Sequence, residues 1–295
     1  MTPCVRDATG AARVRSGCVQ LDGPLLLDGA MGTALLDRGL PAGAPPEAWL
    51  AERPAEIARV HRAHAAAGAR VLLTSTFNVA APRLEAALPG ADVAALCRTA
   101  VALARDAAPG VLVAGDLGPT GLVVPGRPPA DPAGLRARYA GAAGALAAAG
   151  ADLIWIESQW DLGEARLALA AARDTGLPVV VTFTLRERLG DLEAPDGTAA
   201  EALLADVALD GALAVGVNCV SPGKALARLA DWAARKLPAP LVAKPSPGLP
   251  GALLAPAAFA DAVRPAVAAG LRVVGGCCGA TGEHLRALAG VLPPA

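Results

Sequence analysis

The sequence predicts an α/β chain folded as a single-domain (β/α)8 TIM barrel. Three observations predict it: eight short, mostly apolar runs, a longer segment of helical character after each, and polar or glycine-rich residues where the runs end. A strand of a parallel sheet is buried on both faces, so it reads as a short continuous apolar run. The predicted strands are Leu25–Asp28, Arg70–Phe77, Val111–Leu117, Asp152–Glu157, Pro178–Leu185, Ala214–Cys219, Pro240–Ser246 and Leu271–Cys278. The predicted helices are Glu56–Ala67, Asp92–Ala107, Leu135–Ala149, Leu162–Asp174, Ala199–Leu209, Gly223–Lys236, Ala257–Ala268 and Glu283–Val291. Several open at a cap or proline, as at Asp131-Pro132, Ser221-Pro222 and Thr281. Several end at a glycine before the next strand, as at Gly68, Gly150, Gly176 and Gly270. The main rival is a doubly wound open sheet, which shares the alternation.

A chain of 295 residues suits one barrel, since such barrels run to ~250 residues as one domain. Hydrophobic residues make up 54% and aromatics only 3%, so Ala, Val and Leu must fill the core. Residues 1–20 hold Arg6, Asp7, Arg13 and Arg15 and little continuous apolar sequence; they read as a loosely ordered extension, not a secretory signal. The barrel is expected over residues 21–292, and residues 293–295 form a tail. Net charge is −1 with both signs interspersed, which offers no basic stripe for nucleic acid and no polybasic patch for a membrane. No run of ~20 apolar residues is free of breakers, so no membrane span is expected and a cytoplasmic protein is. In such a chain the six cysteines point to metal binding or catalysis more than to a disulfide framework.

Catalytic residues of a barrel come from the C-terminal ends of its strands. Those ends carry Asp28-Gly29, Thr74-Ser75-Thr76-Phe77-Asn78, Gly115-Asp116-Leu117-Gly118, Glu157-Ser158, Asn218-Cys219, Lys244-Pro245-Ser246 and Cys277-Cys278-Gly279. Cys219, Cys277 and Cys278 therefore share one end of the barrel. Three thiolates there suit Zn²⁺, and three ligands with a fourth position open mark a catalytic metal. Cys219 alone could be a small buried hydrophobe, as Cys97 is expected to be. The adjacent pair inside Gly275-Gly276-Cys277-Cys278-Gly279 is harder to explain by packing, because neighbours on a strand face opposite ways. A phosphate cup built on the same glycines is a rival, weakened by thiolates that would repel an anion.

Asp28-Gly29-Ala30-Met31-Gly32-Thr33, Thr74-Ser75-Thr76-Phe77-Asn78, Gly216-Val217-Asn218-Cys219 and Gly275-Gly276-Cys277-Cys278-Gly279 together resemble the homocysteine S-methyltransferase family, over about Leu25 to Val291. Gly115 to Thr120 and Pro245 to Pro250 look most like the homocysteine-binding module of cobalamin-dependent methionine synthase. The resemblance implies a (β/α)8 barrel with Cys219, Cys277 and Cys278 as zinc ligands. It implies that Asp28 and Glu157 hold the amino group of homocysteine, with backbone at Gly29 and Ala30 near the carboxylate. Plainer alternatives are a turn or cap for Asp28 and a solvated strand end for Glu157. Ser75 stands where the family often has Asn, and Pro245-Ser246-Pro247-Gly248 where it has Pro-Asn-Ala-Gly. Ser246 or a water could then serve as the resting fourth ligand, and the acceptor could be another thiol.

The implied activity is methylation of homocysteine to methionine, with the substrate sulfur deprotonated on zinc and attacking the methyl carbon in line. The methyl donor is either a small sulfonium or ammonium compound or a separate corrinoid protein docked at the barrel mouth. Trp160 is a candidate aromatic wall for a cationic donor. Two other classes stay open: a non-catalytic zinc or thiol-binding barrel, and a phosphate-binding lyase or isomerase. Loss of zinc is expected to couple Cys277 to Cys278.

Overall fold

The computed structural model describes Val19, Leu21, residues 23–249 and residues 252–294. Eight parallel strands form one sheet: β1 (Leu25–Leu26), β2 (Val71–Leu73), β3 (Leu112–Leu117), β4 (Leu153–Gln159), β5 (Val179–Thr184), β6 (Ala214–Asn218), β7 (Leu241–Lys244) and β8 (Val273–Val274). Their order is β1-β8-β7-β6-β5-β4-β3-β2. The sheet closes on itself where Leu27 bridges Val71 in parallel and the Arg70 N–H donates to the Leu26 carbonyl at 2.8 Å. The structure is thus a closed barrel, and the open-sheet rival is excluded.

Alternation along the strands sorts the apolar residues into two cores. Leu25, Leu27, Val71, Leu112, Ala114, Leu153, Trp155, Val180, Val242 and Val273 pack together inside the barrel. Their in-between neighbours Leu26, Val113, Ile154, Val181, Val215, Ala243 and Val274 pack outward against the helices. This is the period of two expected of a pleated strand. Val19 and Leu21 join the inner cluster. Val19 is thus buried, although residues 1–20 were expected to be loosely ordered; the others of that segment lie outside the described residues.

All eight predicted helices form, within a few residues of the expected bounds. Asp131 caps its helix through a 2.9 Å bond from the Gly134 N–H. Ser221 does not cap: the helix Lys224–Lys236 starts after Gly223, with no side-chain cap. The expected strands run too far at two places. Residues 75–78 and 275–278 are loops: the Gly275, Gly276 and Cys277 N–H groups still donate to the carbonyls of Ala243, Asp28 and Pro245, but no regular ladder continues beyond the barrel rim. Side chains take over there: Thr76 Oγ1 donates to the Asp116 carbonyl at 2.8 Å, and the Asp116 N–H donates to Thr74 Oγ1 at 3.0 Å. Short helices at Met31–Leu36, Trp49–Glu52 and Pro82–Ala87, and hairpins at Arg186–Arg188 with Asp191–Glu193 and at Gly248–Leu249 with Ala252–Leu253, were not predicted. They are too short to show a helical or strand period. Among the described residues no helix is long and apolar enough to cross a membrane.

Gly216 of β6 has no room for a side chain, since a Cβ there would sit 1.8 Å from the Val242 carbonyl oxygen of β7. Gly216→Ala is expected to destabilise the barrel by about 3 kcal/mol. Gly144, inside the helix Pro132–Ala148 with nothing within 4 Å, is the control. Gly144→Ala is expected to stabilise by roughly 0.5–1 kcal/mol. Urea denaturation of both variants reads the difference; equal midpoints would contradict the packing argument.

Candidate active site

The inner core stops one layer below the C-terminal rim. The next inward positions, two residues on, are Asp116 after Ala114, Glu157 after Trp155 and Lys244 after Val242. Asp28 follows Leu27 at the same height. These side chains floor a cavity of about 500 Å³ that opens at the barrel mouth. It is walled by residues 29–33 and 43–47, by the loop after β2, and by Ser158, Cys219, Gly276, Cys277 and Cys278.

Lys244 organises the floor. It is 3% exposed, its Nζ donates to Asp28 Oδ1 at 2.8 Å, and Glu157 Oε2 lies 3.9 Å away. The other carboxylate oxygen of Asp28 accepts from the Leu73 N–H at 2.8 Å. Burial works against the ammonium charge, but Asp28 and Glu157 outweigh it and hold Lys244 above its usual range. Burial lifts the Glu157 carboxyl, opposed by Lys244 and helped by Asp28. Burial and the Glu157 charge hold Asp116 well above the ordinary carboxylate range, and its Oδ1 has no hydrogen-bond partner. Asp28, Glu157 and Asp116 thus surround one ammonium with more carboxyl groups than it can engage, which suits the floor to a further hydrogen-bonding cation.

The three cysteine sulfurs lie within 4.8 Å of one another at the cavity edge. Cys219 follows β6 with a φ of +55°, a left-handed conformation uncommon for a residue with a side chain. Cys277 and Cys278 lie past the end of β8, so strand alternation no longer drives them apart. The turn around them closes with the Ala280 N–H on the Cys277 carbonyl at 2.9 Å, and Gly279 takes a φ of +82° there. Gly275 and Gly276 permit the approach: a Cβ on the first would lie 2.7 Å from the Asp28 carbonyl oxygen, and on the second 2.2 Å from Ala280 Cβ. Cys278 Sγ is 3.7 Å from Cys219 Sγ. Cys219 and Cys277, 58 residues apart in sequence, come together with Cα atoms 5.4 Å apart.

Asn218 ties the cluster to the barrel. Its Nδ2 donates to Ser158 Oγ at 2.6 Å and faces the sulfurs of Cys219 and Cys277 at 3.7 and 3.8 Å, while its Oδ1 accepts from the Ser158 N–H at 2.9 Å. The donor set fits a soft or borderline cation: three sulfurs with no hard oxygen among them. Burial and the Glu157 charge push the Cys278 thiol up, and a bound cation would offset both.

Asp28, Gly29, Ala30, Glu157 and the three cysteines thus meet at one cavity, as expected. Ser246 does not line it; Ser246 is half-buried and its N–H donates to the Val220 carbonyl at 2.9 Å. Trp160 is likewise outside the lining. The Gly29 and Ala30 N–H groups point at His64 Nδ1 at 3.4 Å and the Ala280 carbonyl at 3.3 Å. Lys244, Asp116 and Asn218 stand in the strand-end motifs but drew no role from sequence. For Lys244 and Asp116 an inward phase, two residues beyond a buried apolar residue, is the signal that could have found them; Asn218 follows Gly216 and carries no such mark.

The match to the family model described as homocysteine S-methyltransferase covers residues 25–292. The chain is 30% identical to the homocysteine methyltransferase MmuM from Escherichia coli in a metallated form, covering 90% of this chain and 95% of that one, with a TM-score of 0.75. An oxidised form of the same protein matches at 31% identity and a TM-score of 0.73, with the same coverage. A methionine synthase of Mycobacterium leprae is 28% identical over 89% of this chain, which spans only 24% of that protein's length. The carboxyl transferase domain of Rhizobium etli pyruvate carboxylase, at 15% identity and a TM-score of 0.55, shares the fold alone.

Lys244→Met is expected to destabilise the protein by about 3–5 kcal/mol, because it strands the Asp28 charge; the double variant Asp28→Asn/Lys244→Met should lose less. Urea denaturation decides, and a double variant as damaged as the single would refute a dominant charge pair. His61 and His64, both buried, are pushed down to about 4 by burial. Unfolded, they titrate near ~6.5, so between those values the unfolded chain binds more protons. Stability should therefore fall on acidification from about pH 6.5 to 4, by up to ~1.4 kcal/mol per pH unit for each histidine. Denaturation midpoints across that range test this, and His61→Leu should flatten the slope.

Proposed function

The chain belongs to the homocysteine S-methyltransferase family, and from that premise we propose that it methylates the sulfur of homocysteine to give methionine, with Cys219, Cys277 and Cys278 holding a zinc ion. The observation that carries this reading is the meeting of three thiols, within 4.8 Å of one another, at the edge of an acidic cavity. Zinc so held supplies the Lewis acidity that keeps a thiol deprotonated at neutral pH.

The rest is work for the protein. Asp28 and Glu157 receive the substrate ammonium on the cavity floor, where Lys244 keeps one carboxylate charged and in place. The Gly29 and Ala30 N–H groups, weakly engaged at 3.4 and 3.3 Å, can turn to the substrate carboxylate. Those contacts hold homocysteine with its sulfur at the cysteine edge and its reacting lone pair toward the open mouth. Fixing that geometry removes the orientational cost of a bimolecular step. The sulfur forms its bond to the methyl carbon while the donor's leaving group departs with its electron pair. The thiol proton has already gone to solvent, so no general base is needed in the transfer.

The donor is either a small onium compound within the cavity or a methyl group brought by a separate corrinoid protein. The second is favoured by likeness to methionine synthase, of which this chain spans about a quarter. We place the barrel over residues 21–292. A cytoplasmic location belongs to this reading, since a thiol cluster that is to hold a metal needs reducing surroundings.

Cys219→Ala, Cys277→Ala and Cys278→Ala should each lower zinc content from about one per chain to near zero and remove methylation. Metal analysis of reduced protein, paired with calorimetric titration of homocysteine before and after chelation, tests the reading. Activity that survived without metal would overturn the assignment of these three ligands. Zinc without homocysteine binding would point to a different thiol acceptor.

A further inference from the structure

Asn218 ends β6 and is completely buried. Its backbone is set by both neighbours, Thr184 of β5 on one side and Lys244 of β7 on the other. The amide at its tip is set as well. The Ser158 N–H can only donate, so the amide atom it meets at 2.9 Å is the oxygen. That leaves Nδ2 to face Ser158 Oγ at 2.6 Å and the sulfurs of Cys219 and Cys277 at 3.7 and 3.8 Å. Ser158 and Cys219 both take a left-handed φ, +59° and +55°, and the register of β4 shifts between Ile156 and Gln159, where Ser158 sits. Uncommon backbone on both sides of one amide points to a functional use of that amide.

An Asn Nδ2 carries two hydrogens. Ser158 Oγ takes one, and the other is left to the two sulfurs. The amide does not reach Cys278, which is exposed at the mouth. A hydrogen bond to a thiolate draws off part of its charge. Three thiolates on a divalent cation leave one net negative charge, and the sulfur of an acceptor adds a second. The floor beneath is lined by carboxyl groups, and its ammonium is committed to Asp28. The N–H of Asn218 opposes that build-up of charge at two of the three ligands.

We propose that Asn218 is a positioning residue for the metal site: its amide N–H bonds the thiolates of Cys219 and Cys277 as a pair, orients them and draws charge from them, while the Ser158 N–H fixes the amide from behind. The inference rests on the assignment of the three cysteines as metal ligands. Asn218 does not line the cavity, so its effect on the reaction runs through the two sulfurs. The ligand set thereby has two unlike parts. Cys219 and Cys277 are tied to the barrel wall through one amide, and Cys278 stands at the mouth beyond its reach.

Cobalt(II), loaded without air into the reduced full chain, tests this, because its sulfur-to-metal charge-transfer band reports the charge on the bound thiolates. Native protein is compared with Asn218→Leu, Asn218→Ala and Ser158→Ala. Losing a hydrogen bond raises the energy of a sulfur lone pair, so both Asn218 variants should move the band to longer wavelength. The alanine variant decides if the leucine one does not fold. Zinc affinity, read by competition with a chromophoric chelator, should fall by roughly 10–100-fold in the same variants, the usual cost of losing an outer partner of a metal ligand. Ser158→Ala keeps the backbone N–H on the amide oxygen, so the band should stay in place. A merely structural amide could weaken zinc but would not move the band. An unmoved band in the folded Asn218 variants would overturn the proposal, as would a shift in Ser158→Ala as large as theirs. A native protein with no charge-transfer band at all would overturn the ligand assignment itself, and the role of Asn218 with it.

Discussion

Closure of the sheet between β1 and β2 is the constraint on which everything else rests. Once Leu27 meets Val71, every second residue of eight strands faces one axis, and a shared interior exists. An interior this narrow must be filled, and Leu, Val and Trp155 fill its lower layers. One step higher the same phase delivers Asp116, Glu157 and Lys244. The cavity opens above this charged layer, which forms its floor. Fold and site are thus consecutive layers of one stack.

That arrangement carries an electrostatic cost which the local chemistry offsets. An ammonium 3% exposed would be driven to its neutral form if it stood alone, but Asp28 at 2.8 Å and Glu157 at 3.9 Å keep it charged. Asp28 is further held by a backbone N–H from β2, which ties the charge pair to the closure point. Glu157 and Asp116, one weakly paired and one without a partner for Oδ1, retain capacity for an incoming cation. In a medium of low effective dielectric, such an imbalance selects ligands by charge.

The sulfur cluster solves a different problem. Regular strands would send Cys277 and Cys278 to opposite faces, and Cys219 would follow Asn218 outward. Irregular backbone brings all three together: β8 stops at Val274, glycines pass close beneath the turn, and Cys219 adopts a left-handed φ. Asn218 then joins two of the sulfurs to Ser158 at the bulged end of β4. Backbone conformations of this kind persist where surrounding contacts hold them, and they concentrate at functional sites.

The sequence by itself determined the alternating elements, because apolar period and turn residues are local properties that each segment carries alone; between the expected barrel and the open sheet that shares this alternation, closure of β1 on β2 decided. It also marked Cys219, Cys277, Cys278, Asp28 and Glu157 as strand-end residues with chemistry to offer, since in a barrel that position alone implies convergence. It did not reveal the partner of Asp28, which is 216 residues away. Nor did it show that Ser246 turns to Val220, or that Glu47 steadies Arg83 through Asn78. These depend on which loops meet above the rim. That is decided by closure of the whole barrel and by the short helices and hairpins around its mouth, whose few residues are ordered by tertiary contacts and leave no period to read.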